Sequence, residues 1–248
     1  MFSRKKKKES IRQNIITLFY AIIAALIIRS FLFEPFSIPS GSMYPTLKVG
    51  DYLFVSKYSY GFSKHSFPLS LPIIPNRILY NEPERGDVVV FKTPEDNKTD
   101  YIKRLIGLPG EKIKMISNEI YINGKKIYRE NVGKEKYSSL NVEKFKEVVA
   151  EGKSYNIYEI NNKVPFYDTN DFDEITVPED HFFVIGDNRD NSQDSRFIGS
   201  VPKQNLVGKA ILVFLSFDTE KGSWWKFWTW FSALRKDRFL YSLIPDEE

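Results

Sequence analysis

Two serine hydroxyls and one lysine amine are the groups of this chain best placed by sequence to do covalent chemistry. Ser40 and Ser42 flank Gly41 in Ile38-Pro39-Ser40-Gly41-Ser42-Met43-Tyr44-Pro45-Thr46-Leu47, and Lys103 stands in Asp100-Tyr101-Ile102-Lys103-Arg104. The chain has no cysteine and only two histidines, so thiolate chemistry is excluded and histidine bases are scarce. A serine hydroxyl becomes a useful nucleophile when a neighbouring base takes its proton, and a lysine can be that base. The lysine must then be neutral. Apolar burial disfavours the ammonium, and a pKa lowered from ~10.4 to ~8 corresponds to a differential of about 3 kcal/mol. Ile102, Leu105 and Ile106 give Lys103 apolar neighbours. Taken alone, Ser-Gly-Ser reads first as a plain turn, and a strand lysine as a surface residue.

A third segment gives them company. Gly186-Asp187-Asn188-Arg189-Asp190-Asn191-Ser192-Gln193-Asp194-Ser195-Arg196 is dense in turn formers and follows the apolar run His181-Phe182-Phe183-Val184-Ile185. Asp187, Asp190 and Asp194 allow a calcium-loop reading, but Arg189 and Arg196 interleave with the acids and no glutamate follows at EF-hand spacing. Such a loop can instead offer a hydroxyl to orient a lysine, with Asp194 and Arg196 pairing to hold it. No metal and no other cofactor is called for.

The elements that must position these groups are mostly short strands. Tyr52–Val55, Asp87–Phe91, Tyr101–Leu105, His181–Ile185 and Lys209–Phe214 read as strands. Ile120–Ile127 reads as a hairpin whose Asn123-Gly124 favours a type I′ turn. Phe67–Pro75 holds three prolines and reads as a loop. Residues 129–175 are polar and weakly patterned, which points to an inserted subdomain between the parts of a mainly β catalytic domain, 34–128 and 176–220. In the last segment, 221–248, positions 224, 227, 228, 231 and 234 form an apolar helical stripe containing Trp224 and Trp228. It fits either a terminal helix packed on its own domain or an interfacial helix among lipid headgroups.

Location is written at the amino terminus. Arg4–Lys8 is a basic run, and Ile15–Ile28 is an uninterrupted 14-residue apolar stretch. Continued to Phe33 it reaches 19 residues with Arg29 as its single charge, about 28 Å at helical rise, close to the hydrocarbon thickness. The expectation is a cytoplasmic tail at 1–14, an uncleaved transmembrane anchor at 15–33 rather than a cleaved signal peptide, and the rest of the chain outside. The remaining composition, 42% hydrophobic and 27% charged with a net charge of +4, is globular and carries no nucleic-acid footprint.

The chain resembles the bacterial type I signal peptidases, Ser–Lys enzymes that remove signal peptides from exported proteins. The resemblance runs, in order, through Glu34-Pro35-Phe36, Ile38–Leu47, Gly50-Asp51, Arg85–Phe91, Asp100–Arg104, Gly107-Leu108-Pro109-Gly110 and Gly186–Arg196. It leaves out residues 129–175. The chain departs from the family in having one apparent span where some members have two, and in Asp180 where a small residue is expected. The resemblance implies a β-barrel or sheet catalytic domain with an inserted β-rich subdomain and one transmembrane helix. It makes Ser42 the nucleophile, Lys103 the general base, Ser192 the group that orients the amine, and Ser40 with the Ser42 N–H the oxyanion donors. Asp194 and Arg196 become structural supports, and Phe36, Ile38, Met43, Leu47 and Ile102 the walls of shallow pockets for small residues at the first and third positions before the cut. It further implies signal-peptide-bearing preproteins as substrates, and a single-pass protein of the bacterial cytoplasmic membrane with its catalytic domain on the outer side. Two rival readings remain open. One is a LexA-like autopeptidase, against which the anchor and the lack of a DNA-reading helical domain argue; the other is a catalytically silent, anchored β-domain that binds envelope partners.

Overall fold

The computed structural model of the chain describes residues 2–138, 140–150, 152–160, 171–218, 221–222 and 229–244. It opens with one long helix, α1 (Phe2–Phe31). No proline or glycine interrupts that stretch, and within it Ile11–Phe31 is long and apolar enough to cross a membrane, with a mean hydropathy of 1.9. Its leucines, isoleucines and aromatics are exposed and do not pack into a protein core. Against the expected anchor at 15–33, the helix ends at Phe31 and Phe33 already pairs with Ser56 in the sheet, while the Leu32 carbonyl between them accepts from the Lys57 amide N–H.

The regular structure of the remaining described chain is mostly antiparallel strand. The main sheet runs β1 (Phe33–Ser37), β2 (Asp51–Ser56), β14 (Leu206–Ser216), β3 (Val88–Lys92), β4 (Asp100–Gly107), β12 (His181–Ile185), β13 (Val201–Pro202), with β15 (Tyr241–Ser242) beside β14. Pro35 is tolerated because β1 is the sheet's first edge, where a missing N–H costs no ladder bond on the open side. β3 reads Val-Val-Val-Phe because both faces are covered. Val88 and Val90 join a core with Leu53, Val55 and Val213, while Val89 and Phe91 join another with Leu105, Phe182 and Leu206. A second sheet orders β11 (Phe172–Thr176), β5 (Lys112–Ile116), β6 (Glu119–Ile122) and β7 (Lys125–Lys126). The β6–β7 turn has Asn123 and Gly124 both at positive φ, +51° and +76°, as the type I′ expectation requires. Apart from a short 3₁₀ turn at Pro68–Ser70, residues 67–75 have no regular structure.

Residues expected to be weakly patterned are in large part a regular ribbon: β8 (Tyr128–Tyr137), β9 (Leu140–Ala150) and β10 (Lys153–Ile160) form a three-stranded sheet. Lysines and glutamates hide the alternation on its open face, where they pair across strands, Lys144 with Glu135 at 2.8 Å and Lys134 with Glu143 at 3.5 Å. Its inner face supplies Phe145, Val149, Tyr155 and Ile157 to one core shared with Ile106, Ile113, Phe183 and Ile185. The end of the same segment, β11, pairs with β5. Of the carboxy-terminal stripe, Trp224, Phe227 and Trp228 lie outside the described residues; Phe231 is exposed and Leu234 half-buried.

Candidate active site

Lys103 lies in the middle of β4, and Ser42 in the turns that join β1 to β2. The structure brings them together, with Lys103 Nζ donating to Ser42 Oγ at 2.8 Å and to the Ile102 carbonyl at 3.0 Å. Both side chains are buried, Lys103 to 4% exposure and Ser42 to 8%. Burial is the largest influence on the amine and lowers its pKa to about 8; Asp194 and Asp187 pull the other way, and Arg196 adds to the lowering. The amine is therefore neutral in an appreciable fraction of molecules near neutral pH, which a free lysine is not.

The segment around Ser42 is held from three sides. The Asn188 backbone N–H donates to the Ser42 carbonyl at 3.1 Å, and its side-chain amide to the Gly41 carbonyl at 3.0 Å. With both carbonyls turned into the protein, the Ser42 N–H donates to no group among the described residues. Arg238, from the carboxy-terminal segment, donates to the Thr46 carbonyl at 2.8 Å and grips Asp51 at 2.5 and 3.0 Å. Arg104, the neighbour of Lys103, binds Asp187 through two nitrogens at 2.6 and 2.8 Å, and Thr46 donates to the same carboxylate at 2.5 Å. One buried guanidinium thus ties β4, the segment after Ser42 and the 186–196 loop together. A Cβ at Gly41 would lie 1.9 Å from the Tyr137 hydroxyl contributed by β8, so any side chain there has to displace that ring.

The 186–196 loop behaves as a brace. Asp194 is fully buried, caps the short helix α2 (Ser195–Ile198), accepts from the Gly186 N–H at 2.9 Å and from Arg196 at 2.7 and 2.8 Å. Burial would raise its pKa, but Arg196 and these hydrogen bonds outweigh it and hold the carboxyl below the usual range. Ser192 is packed against Gly186, where a Cβ would meet its Oγ at 2.2 Å and the Ser42 carbonyl at 2.6 Å. Its hydroxyl is buried without a hydrogen-bond partner of ordinary geometry and adds to the stabilisation of the Asp194 carboxylate. Among the described residues the Lys103 amine is hydrogen-bonded to Ser42 and the Ile102 carbonyl, and no hydrogen bond joins it to Ser192. Ser40 is exposed at the rim, its Oγ 3.5 Å from that of Ser42.

A cleft of about 730 Å³ runs up to this pair, walled by β1 and the first half of β4 and including Phe36, Ile38, Ile102 and Val90. Met43 and Leu47, expected in those walls, do not line the open cleft; both lie fully buried behind it, in one core with Ile38, Leu53, Val55 and Val213 against which Phe36 and Ile102 also pack. Sequence reasoning also missed the Arg104–Asp187–Thr46 tie, the Arg238–Asp51 clamp and Asn188. All three join residues 83 to 187 positions apart or reach to backbone carbonyls, and no local pattern signals such contacts.

The family described as signal peptidase, peptidase S26, matches residues 11–215 of this chain. Signal peptidase I of Rickettsia typhi (strain ATCC VR-144 / Wilmington) is 38% identical with 98% of each chain covered, and that of Rickettsia felis (strain ATCC VR-1525 / URRWXCal2) is 41% identical with 92% of each covered. A crystal structure of a signal peptidase I from Enterococcus faecalis V583 is similar at 28% identity and a TM-score of 0.33, covering 52% of this chain and 97% of that one. With the family match spanning most of its length and these relatives covering nine-tenths or more, the chain belongs to the signal peptidase family, peptidase S26.

Proposed function

We propose that Ser42 is the nucleophile and Lys103 the general base of a membrane-anchored serine endopeptidase that removes signal peptides from exported proteins. The endopeptidase activity follows from the family; the residue roles rest on one observation, a buried amine of lowered pKa 2.8 Å from a buried hydroxyl. In the neutral form the hydrogen bond reverses and the hydroxyl gives its proton to the amine lone pair as Ser42 attacks the scissile carbonyl. The Ser42 N–H and the Ser40 hydroxyl stabilise the oxyanion, a contribution of ~2.7–4 kcal/mol for a single donor. The Lys103 ammonium then protonates the leaving amine, and the regenerated base activates the water that clears the acyl-enzyme.

The substrate's place is supported by two open strand edges. Among the described residues β1 pairs only with β2, and residues Asp100–Lys103 of β4 pair only with β3, because β12 takes up β4 from Arg104 onward. An extended peptide entering the cleft meets unpaired backbone on both sides. Phe36, Ile38 and Ile102 then give shallow apolar walls suited to small side chains before the cut. The basic residues Arg4–Lys8 before an apolar helix favour a cytoplasmic amino terminus, which sets the catalytic sheet on the outer face of a bacterial cytoplasmic membrane, beside the exit of its preprotein substrates.

The test is cleavage in trans of a signal-peptide-bearing preprotein by the purified protein. Wild type cleaves it, while Ser42→Ala and Lys103→Ala each lose activity with the fold intact by circular dichroism. Turnover surviving in either variant, or none in wild type, overturns the assignment. Ser192→Ala lowers the rate without removing it and moves the pH–rate profile, since an orienting hydroxyl acts through the amine.

A further inference from the structure

Among the exposed apolar surfaces that the peptidase reading leaves unused, one is tied directly to the end of α1. The loop that follows β2 carries Leu71, Ile73, Ile78 and Leu79 with 46 to 75% of their surface in the open. Residues Phe67–Pro75 contain no charge and three prolines, each without an N–H to desolvate. The loop is not free to wander. Phe62 and Phe67 pack edge-to-face on Phe31, the last residue of α1, with ring centroids 5.4 and 5.8 Å away. Lys57 is buried at the foot of the loop and donates to the His65 and Ser66 carbonyls at 3.2 and 2.9 Å while pairing with Glu34 at 2.7 Å. At the other end Arg77 donates to the Tyr60 and Gly61 carbonyls.

We propose that the loop Phe67–Leu79 is a second membrane contact, seated in the outer headgroup and acyl boundary beside the end of the anchor. The inference rests on α1 spanning the bilayer. If it does, Phe31 marks where the apolar span stops, and a loop clamped to that ring is held at the same depth. Four exposed aliphatic side chains then meet lipid instead of water, at ~25 cal/mol per Å² of apolar surface removed. Lys64, beside the loop, suits anionic headgroups. The occupant is the bilayer because the loop's depth is set by its contact with the spanning helix.

The chain has no cysteine, so single cysteines can carry an environment-sensitive fluorophore in the full-length protein reconstituted into phosphatidylcholine–phosphatidylglycerol vesicles. Labels at Ile73→Cys, at Leu26→Cys within α1, and at Lys125→Cys on the exposed β6–β7 turn are compared with lipids brominated along the acyl chain. The expected result is blue-shifted, strongly quenched emission at positions 26 and 73 and none at 125. Quenching at 26 but not at 73 overturns the loop contact and leaves the anchor standing; quenching at neither removes the spanning reading on which it rests. Shielding of position 73 that requires added preprotein assigns the surface to substrate, and shielding that vanishes as lipid dilutes the protein assigns it to a second copy. Either result rejects the lipid contact.

Discussion

Lys103 has to be neutral to accept a proton, yet Asp187 and Asp194 both favour its charge; burial decides the contest and leaves the pKa at about 8. The rate of cleavage is therefore expected to rise with pH through a limb centred near 8 and to fall below it as the amine protonates. A profile flat from pH 6 to 9 would contradict a lysine base. The same burial sets a stability prediction. The folded pKa is depressed below the unfolded value of 10.5, so between pH 8 and 10.5 the unfolded chain binds more protons and stability rises with pH. Below pH 8 the buried ammonium costs about 3 kcal/mol. Lys103→Met, inactive, is expected to be more stable than wild type at pH 7, with the advantage shrinking toward pH 10 in thermal melts.

At the level of elements, the site depends on close approach rather than on any single strand. Gly186→Ala places a methyl against Ser192 Oγ and the Ser42 carbonyl, and a shift of ~1 Å at the nucleophile can cost roughly 100-fold in kcat; steady-state kinetics on a variant of near-normal melting temperature reads this directly. Met43→Ala separates core from pocket. As a core residue it is expected to lose ~2–5 kcal/mol of stability without a change in which residues are accepted before the cut, measured by denaturant unfolding and by cleavage of a substrate series. These two positions also mark what a linear reading could see. Strands β2, β3, β4 and β12 were legible because apolar runs bounded by glycine, proline and polar turns leave few alternatives, whereas the Ser42–Lys103 contact was singled out from many serines and lysines only through the resemblance of their segments to a known family. The ribbon of β8–β10 was not, since its open face alternates lysine with glutamate. That Met43 and Leu47 are fully covered was not legible either, because how far a side chain is buried here depends on turns held by Asn188 and Arg238, far along the chain.

For the molecule as a whole, the passage from α1 to β1 is the feature with the widest reach. A single residue, Leu32, separates helix from strand, and its carbonyl is held by Lys57. No flexible tether intervenes, so on the proposed function, with α1 spanning the bilayer and Ser42 cutting, the distance of the cutting point above the bilayer is a fixed height. A substrate whose own apolar helix ends at the same boundary would then be cleaved a set number of residues beyond it, and the protein would be a ruler as well as a blade. Lengthening the junction by a few glycine and serine residues after Leu32 is expected to blur the cleavage position on a membrane-inserted preprotein, read by mass spectrometry of the product, while a short soluble peptide is still cut at its usual bond.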